Sequence, residues 1–198
     1  MIALSLLDRR LARDTRGATI IEFAMILPAL CLILLGTFEL GYRMYVSSIV
    51  QGALHEAARM ATIGTMSTDQ IDTRVKARLR SFSHAATITT RTDSYDDFSQ
   101  VNVPERITQD TAPVGQYNTG DCYEDYNNNQ RYDLDRGRSG LGQADDIVRY
   151  QVSISYPRMF PVASFFGWSD TDTITSNTVL RNQPFAGRSI PTPAVRCS

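Results

Sequence analysis

Histidine is scarce in this chain, and the signatures of several enzyme classes are missing. The only histidines are His55 and His84, which stand far apart in the sequence, so a histidine-rich metal site is not expected. Residues 137–140 read Gly-Arg-Ser-Gly, which is not a nucleophile elbow, and the sequence contains neither a Walker loop nor a dinucleotide-binding loop. We therefore do not expect an enzyme.

An excess of charge of either sign is also missing. The 20 Lys and Arg residues nearly balance the 21 Asp and Glu residues, which removes the electrostatic argument for binding nucleic acid. The charges are unevenly spread, however, because four arginines lie within the first 17 residues. Basic residues before an apolar segment tend to stay in the cytoplasm. The N-terminus is therefore expected inside the cell and everything after about Gly41 outside.

The three cysteines leave one candidate disulfide. Cys31 lies in an apolar segment, so Cys122 and Cys197 remain as a pair for an oxidising compartment. Such a bridge would close a loop of about 75 residues and stabilise the fold by on the order of 4 kcal/mol in the chain-entropy model. Two unpaired thiols are the alternative.

A long uncharged stretch runs from Phe23 to Phe38, directly after Glu22. A carboxylate at the centre of a membrane helix costs roughly 2.5–3.5 kcal/mol on insertion scales, so Glu22 needs a partner. Residues 18–41 would form about 36 Å of helix, which is enough to cross a hydrocarbon core of about 30 Å. Pro28 is tolerated in such a helix. No secretory cleavage site follows Phe38, so the segment is expected to remain in the protein.

The helical pattern continues beyond the membrane. Apolar residues recur at helical spacing from Val46 to Met60, which predicts one helix over about 18–64, roughly 70 Å long. A capping box then opens at Ser67 and predicts a second, amphipathic helix from about Thr68 to Phe82.

The remaining sequence predicts strands. We expect them at Thr87–Thr92, Val101–Val103, Val148–Tyr156 and Ile174–Arg181, the last two as antiparallel neighbours. The predicted fold class is α+β, with a long N-terminal transmembrane, pilin-like helix, followed over 65–186 by an extracytoplasmic α+β domain made of a second helix and a small antiparallel β-sheet. The aromatic segment Phe160–Trp168 could cover the sheet, contact another subunit or dip into the membrane, and packing on the sheet is expected. Residues 187–198 are expected to form an extended or mobile tail.

The acidic loop over 121–146 has the spacing of a calcium site. Oxygen-bearing side chains stand at loop positions 1, 3, 5 and 9, and a backbone carbonyl stands at position 7; these residues are Asp125, Asn127, Asn129, Asp133 and Arg131. Gln130 and Arg136 replace the glycine and the glutamate of an EF-hand, so a distant carboxylate would have to complete the site, Asp145 or Asp146 before Asp135. A structural Ca²⁺ is the prediction, and a polar Asx-turn loop is the alternative.

The start of the helix resembles the processing site of type IV pilins. Residues 17–24 read Gly-Ala-Thr-Ile-Ile-Glu-Phe-Ala and are followed by Leu27 and Pro28; this variant is similar to the TadE-like family, minor pseudopilins of the Tad apparatus that builds Flp pili for tight adherence. Residues 181–185, Arg-Asn-Gln-Pro-Phe, resemble a C-terminal signature of that family, with Gln183 in place of glutamate.

The resemblance implies that a prepilin peptidase removes the leader 1–17 by cutting between Gly17 and Ala18, just ahead of Glu22 and Phe23. Cleavage creates an amine at Ala18 one helical turn from Glu22, and the helix dipole also favours a carboxylate there. By the family pattern, Glu22 meets the amine of a neighbouring subunit in a filament. The implied partners are the membrane, the prepilin peptidase, other pilins or pseudopilins, and Tad secretion components.

Three functions are weighed on these features. The first is a pseudopilin of the cytoplasmic membrane, single-pass, with its C-terminal domain in the periplasm or outside the cell, which works in pilus biogenesis and adhesion. The second is a membrane-anchored calcium-binding envelope protein that stays outside a pilus. The third is a surface hydrolase on the same anchor, because fold class alone does not exclude activity. We expect the first.

Overall fold

A computed structural model describes residues 17–63, 66–80, 85–160, 167–183 and 189–197. The chain divides into two compact units, one formed by residues 1–44 and 158–170, the other by residues 45–157 and 171–198. Residues 1–16 of the predicted leader 1–17 lie outside the described residues. A long apolar helix, a second helix and two antiparallel sheets are present, so the predicted α+β class is confirmed.

Helix α1 (Ala18–Ile63) is continuous through Pro28, as the spacing of its apolar residues predicted. Its N-terminal part is long and apolar enough to cross a membrane, and the protein buries none of its most apolar 18-residue stretch. Farther along, small and branched residues at helical spacing are buried, namely Val46, Val50, Ala53, Leu54, Ala57 and Ala61. The same helix is thus exposed in the first unit and packed in the second.

Helix α2 (Thr68–Arg80) begins at the predicted capping box. The backbone N–H of Ser67 donates to Gln70 Oε1 at 3.0 Å, and the N–H of Gln70 donates to Ser67 Oγ at 3.4 Å, which satisfies two helix-end donors. Its buried stripe is Ile71, Val75 and Leu79. The expected end at Phe82 falls outside the described residues.

The larger sheet has the order β4-β1-β5-β6, with all neighbours antiparallel. Its strands are β1 (Thr87–Tyr95), β4 (Arg138–Ser139), β5 (Ile147–Pro157) and β6 (Thr171–Arg181). The apolar face of β5 is buried because apolar and polar residues alternate along it. The predicted antiparallel pairing of these last two long strands is confirmed.

A second, three-stranded sheet joins β2 (Ile107–Gln109), β3 (Cys122–Asp125) and β7 (Ala194–Cys197) in the order β2-β3-β7. Residues 194–197 of the tail, which was expected to be extended or mobile, are thus extended and form a strand. Pro191 and Pro193 precede β7 and do not interrupt it, so its backbone forms an antiparallel ladder with β3.

Two expectations are wrong. Residues 101–103 form a turn instead of a strand, because Asn102 adopts a left-handed φ of 58°, which asparagine tolerates well. Trp168 is 66% exposed and does not pack in the core. Phe160 contacts Phe38 of α1, with ring centroids 6.5 Å apart, and Phe165 and Phe166 lie outside the described residues.

Candidate functional site

The start of α1 brings the predicted processing residues onto an open surface. Gly17 and Glu22 are exposed, and Phe23 keeps more than half of its surface in solvent. A Cβ atom added at Gly17 would meet nothing within 4 Å. The helix begins at Ala18 and has no acidic residue in its first turn, so Glu22 is the first carboxylate along it.

The membrane half of α1 exposes large apolar side chains on every face. These include Ile20, Ile21, Phe23, Met25, Ile26, Leu30, Ile33 and Phe38. A helix that is apolar all round is buried in a core or spans a membrane, and the described residues do not cover this one. By length and composition, this part of α1 is therefore suited to cross a membrane.

The acidic loop is organised around the buried carboxylate of Asp125 at the end of β3. Its Oδ1 accepts a hydrogen bond from the N–H of Asn129 at 3.1 Å, and its Oδ2 accepts one from the N–H of Gln130 at 3.0 Å. Gln130 has a φ of 66° and Asn128 a φ of 58°. Gln130 thus takes a left-handed conformation at the position where an EF-hand has glycine. Arg196 Nε of β7 also donates to Asp125 Oδ2, at 2.6 Å.

The other predicted calcium ligands are gathered in the same loop, with one exception. The side-chain amides of Asn127 and Asn129 both donate to Asp133 Oδ2, at 2.7 and 2.5 Å, and Arg131 donates its N–H to Asn129 Oδ1 at 2.8 Å. Asp145 instead forms an ion pair with Arg181 at 3.3 Å. Among the described residues no group of three or more His, Cys, Asp or Glu side chains could hold a metal, so a metal here would depend on the asparagines. Calcium binding stays a prediction.

Sequence reasoning missed Glu105, which ties the two ends of this loop together. Its Oε1 accepts the N–H of Tyr126 at 2.9 Å and its Oε2 accepts the N–H of Asp133 at 3.1 Å. Burial raises the pKa of the Glu105 carboxyl, and these two backbone bonds act against that rise. A single glutamate between Pro104 and Arg106 has no pattern that would reveal this role.

A polar cavity of about 530 Å³ lies between α2, β1 and the acidic loop. Its wall carries an excess of carboxylates, namely Asp69, Asp72, Asp93, Asp133 and Asp135. Behind the wall, buried Arg149 donates through Nη2 to Asp93 Oδ2 at 2.6 Å and also to Asp135. Tyr95 donates its hydroxyl to Asp135 at 3.0 Å, and burial, followed by that bond, raises the pKa of Tyr95. Ion pairs and hydrogen bonds to these carboxylates therefore hold the wall of the cavity together.

The two cysteines outside the apolar segment meet across the smaller sheet. Cys122 of β3 and Cys197 of β7 are register partners and are joined by a disulfide. Cys31 is a free, exposed thiol. The tail thus returns to the strand from which the acidic loop departs.

The comparison with protein families bears on α1. Residues 17–59 match the model of a family described as TadE-like protein; no curated protein and no solved structure matches the chain. The matched range contains the exposed start of α1 and much of its packed half, and it ends before α2. The Arg-Asn-Gln-Pro-Phe segment and both sheets lie beyond it. Over residues 17–59 the chain is similar to TadE-like proteins, which confirms the resemblance and suggests a membrane protein related to the Tad pilus.

Proposed function

We propose that this chain is a minor pseudopilin of the Tad system, cut by a prepilin peptidase between Gly17 and Ala18. The observation that carries the proposal is the abrupt change of α1 from an apolar surface exposed on every face to a packed, amphipathic half. Such a helix serves two settings, since lipid covers it before assembly and neighbouring subunits cover it in a filament.

In this proposal, Glu22 is the residue through which subunits recognise each other during assembly. Cleavage leaves an amine at Ala18, four residues before the carboxylate, and residues at that spacing are neighbours on a helix. The same amine on an adjacent subunit offers an alternative partner that appears only in a filament. A carboxylate kept in an apolar environment needs one of the two, so the pairing favours ordered addition of subunits.

The orientation follows from two features. The arginines before α1 favour a cytoplasmic leader, and the disulfide between Cys122 and Cys197 favours an oxidising compartment for the second unit. The second unit would then project from the cytoplasmic membrane and meet other pilins or Tad secretion components. Its contribution to pilus biogenesis and adhesion is interaction, not catalysis.

Processing is tested by intact mass and N-terminal sequencing of the chain isolated from membranes, with and without an active prepilin peptidase. We expect a mature chain that begins at Ala18 only when the peptidase works. Gly17→Leu should block the cut, whereas Gly36→Leu is the matched control, because neither site has an atom within 4 Å of an added Cβ. A chain that still begins at Met1 beside an active peptidase would contradict the proposal.

Assembly is tested separately with Glu22→Gln, which keeps the size of the side chain and removes its charge. We expect normal cleavage and membrane insertion, with loss of the chain from sheared pili or from the pilus base. Unchanged co-assembly would remove Glu22 from the mechanism while leaving the processing result intact.

A calcium-binding envelope protein is the second candidate. It is favoured by the left-handed backbone of Gln130 and by the carboxylate of Asp125, which accepts the N–H groups of two loop residues. Any ion would order a loop that has little apolar content. This candidate predicts calcium-dependent stability without cleavage at Gly17.

A further inference from the structure

The connection between β5 and β6 returns to the membrane helix. We call residues 158–160 and 167–170 the return segment; they form one compact unit with residues 1–44. Arg158 joins its two limbs, since its backbone N–H donates to the carbonyl of Asp170 at 2.8 Å and its Nε donates to the carbonyl of Ser169 at 2.9 Å. The same side chain reaches α1 through Nη1, which lies 3.4 Å from Glu39 Oε1.

Glu39 marks the outer edge of the membrane segment. It is the first charged residue after Glu22, and the intervening residues 23–38 make about 24 Å of helix, slightly less than a hydrocarbon core of about 30 Å. A carboxylate at that depth needs a counter-charge. Arg158 provides it in a mostly buried pair. Glu39 Oε2 is buried and has no hydrogen-bond partner within the described part of the chain.

Large apolar side chains of the return segment are exposed beside this pair. Met159 is 51% exposed and Trp168 66% exposed, while Phe160 packs against Phe38 of the helix. Phe38 directly precedes Glu39, so Phe160 lies at the depth where the apolar stretch ends. Tryptophan is enriched at membrane–water interfaces because its ring is apolar and its N–H is polar.

We propose that the return segment is a second membrane contact, which inserts Met159, Phe160 and Trp168 into the outer-leaflet interface beside α1. The occupant of this surface is lipid, because the same unit contains the stretch of α1 that is exposed and apolar enough to cross a membrane. The Arg158–Glu39 pair then fixes the depth of the segment. The proposal rests on the membrane span of α1 alone and is independent of cleavage and of pilus assembly.

The sequence contains one tryptophan, so the fluorescence of Trp168 reports directly on this contact. The full chain is placed in phospholipid vesicles that carry a spin-label quencher either near the headgroups or deep in the acyl chains. We expect the shallow label to quench Trp168 more strongly than the deep label does. The signal should not depend on the protein-to-lipid ratio, because no second protein copy is involved.

Two single-tryptophan variants provide a depth scale on α1 itself. Trp168→Phe is combined with Leu34→Trp, five residues inward from Glu39, or with Met44→Trp, five residues outward, each about 7.5 Å along the axis; both sites are exposed. The shallow label should quench Trp168 more strongly than it quenches the outer tryptophan at position 44. The deep label should quench Trp168 less strongly than it quenches the inner tryptophan at position 34. Shallow quenching below that of the outer tryptophan would overturn the proposal.

Removing the side-chain contacts of Arg158 gives an independent measurement. Arg158→Gln should reduce shallow-label quenching of Trp168 several-fold, because Nε and Nη1 no longer join the second limb and the helix. Its control is Arg59→Gln at an exposed position farther along α1, which should leave the quenching unchanged. Blue-shifted emission that neither lipid label quenches would mean that protein covers Trp168, and that result would also overturn the proposal.

Discussion

Arg149 offers the sharpest test of how the second unit is held together. Its side chain is 6% exposed and donates to the carboxylates of Asp93 and Asp135 and to Asn102 Oδ1. Its guanidinium also lies 5.7 Å from the centroid of the Tyr95 ring. Arg149 lies between the two carboxylates and neutralises their charge, which allows them to lie close to each other.

Replacing Arg149 with methionine keeps most of the packing volume and removes the charge. Breaking a buried ion pair from one side costs about 3–5 kcal/mol, because an uncompensated charge remains. At about 2–4 °C per kcal/mol for a chain of this size, the Tm should fall by roughly 6–20 °C.

The assay is thermal unfolding of the detergent-solubilised chain at neutral pH, followed by circular dichroism. Arg91→Met is the matched control, because Arg91 pairs with the same two carboxylates at 2.8 and 3.9 Å but is 56% exposed. An exposed pair contributes only about 0.2–1 kcal/mol. Equal losses in the two variants would refute the reasoning.

Three further predictions concern the smaller sheet and its loops. Ca²⁺ at millimolar concentration, on the order of 10⁻³ M, should raise the Tm of the wild type but not that of Asp133→Asn; an equal shift in both, or none in either, would remove the calcium site. Cys122→Ser with Cys197→Ser should lower the free energy of unfolding by on the order of 4 kcal/mol, given the 75-residue separation, and a reductant should bring the wild type to the same value in denaturant titrations. Asp121 has a lowered pKa because the hydroxyl and N–H of Thr111 donate to it; its contribution is present above the ordinary carboxylate pKa and lost as pH falls through the lower folded value. Asp121→Asn should therefore flatten the acid side of the stability–pH curve, and an unchanged acid limb would contradict this assignment.

The helices and the long strand pair could be predicted because their signals are local. The apolar run and the 3/4 spacing give α1, the capping box at Ser67 gives the start of α2, and strict alternation gives β5. The strand predicted at Val101–Val103 failed because a left-handed Asn102 is a property of the turn and not of residue hydrophobicity. The pairing of the tail in β7 could not be predicted locally, because β7 gains its hydrogen bonds from a distant strand.

The candidate sites divide in the same way. The TadE-like start of α1 is readable because Gly17, Glu22 and the apolar run are adjacent in sequence, and the family match covers that range. The loop ligands from Asp125 to Asp133 are also close in sequence, and the structure gathers them. Asp145 was chosen from composition alone, and the fold gives it a different partner, Arg181.

The sequence alone determined that this protein has a helix long and apolar enough to span a membrane, with a start similar to that of TadE-like proteins, because hydrophobic length and periodicity act over a few helical turns. Only the tertiary structure decided that Arg196 neutralises Asp125, that Arg149 joins two acidic residues, and that Arg158 meets Glu39. In the sequence, Arg196 and Asp125 are 71 residues apart. Arg149 and Asp93 are 56 residues apart, and Arg158 and Glu39 are 119 residues apart. A charge specifies that it needs a counter-charge, but the path of the chain decides which one reaches it.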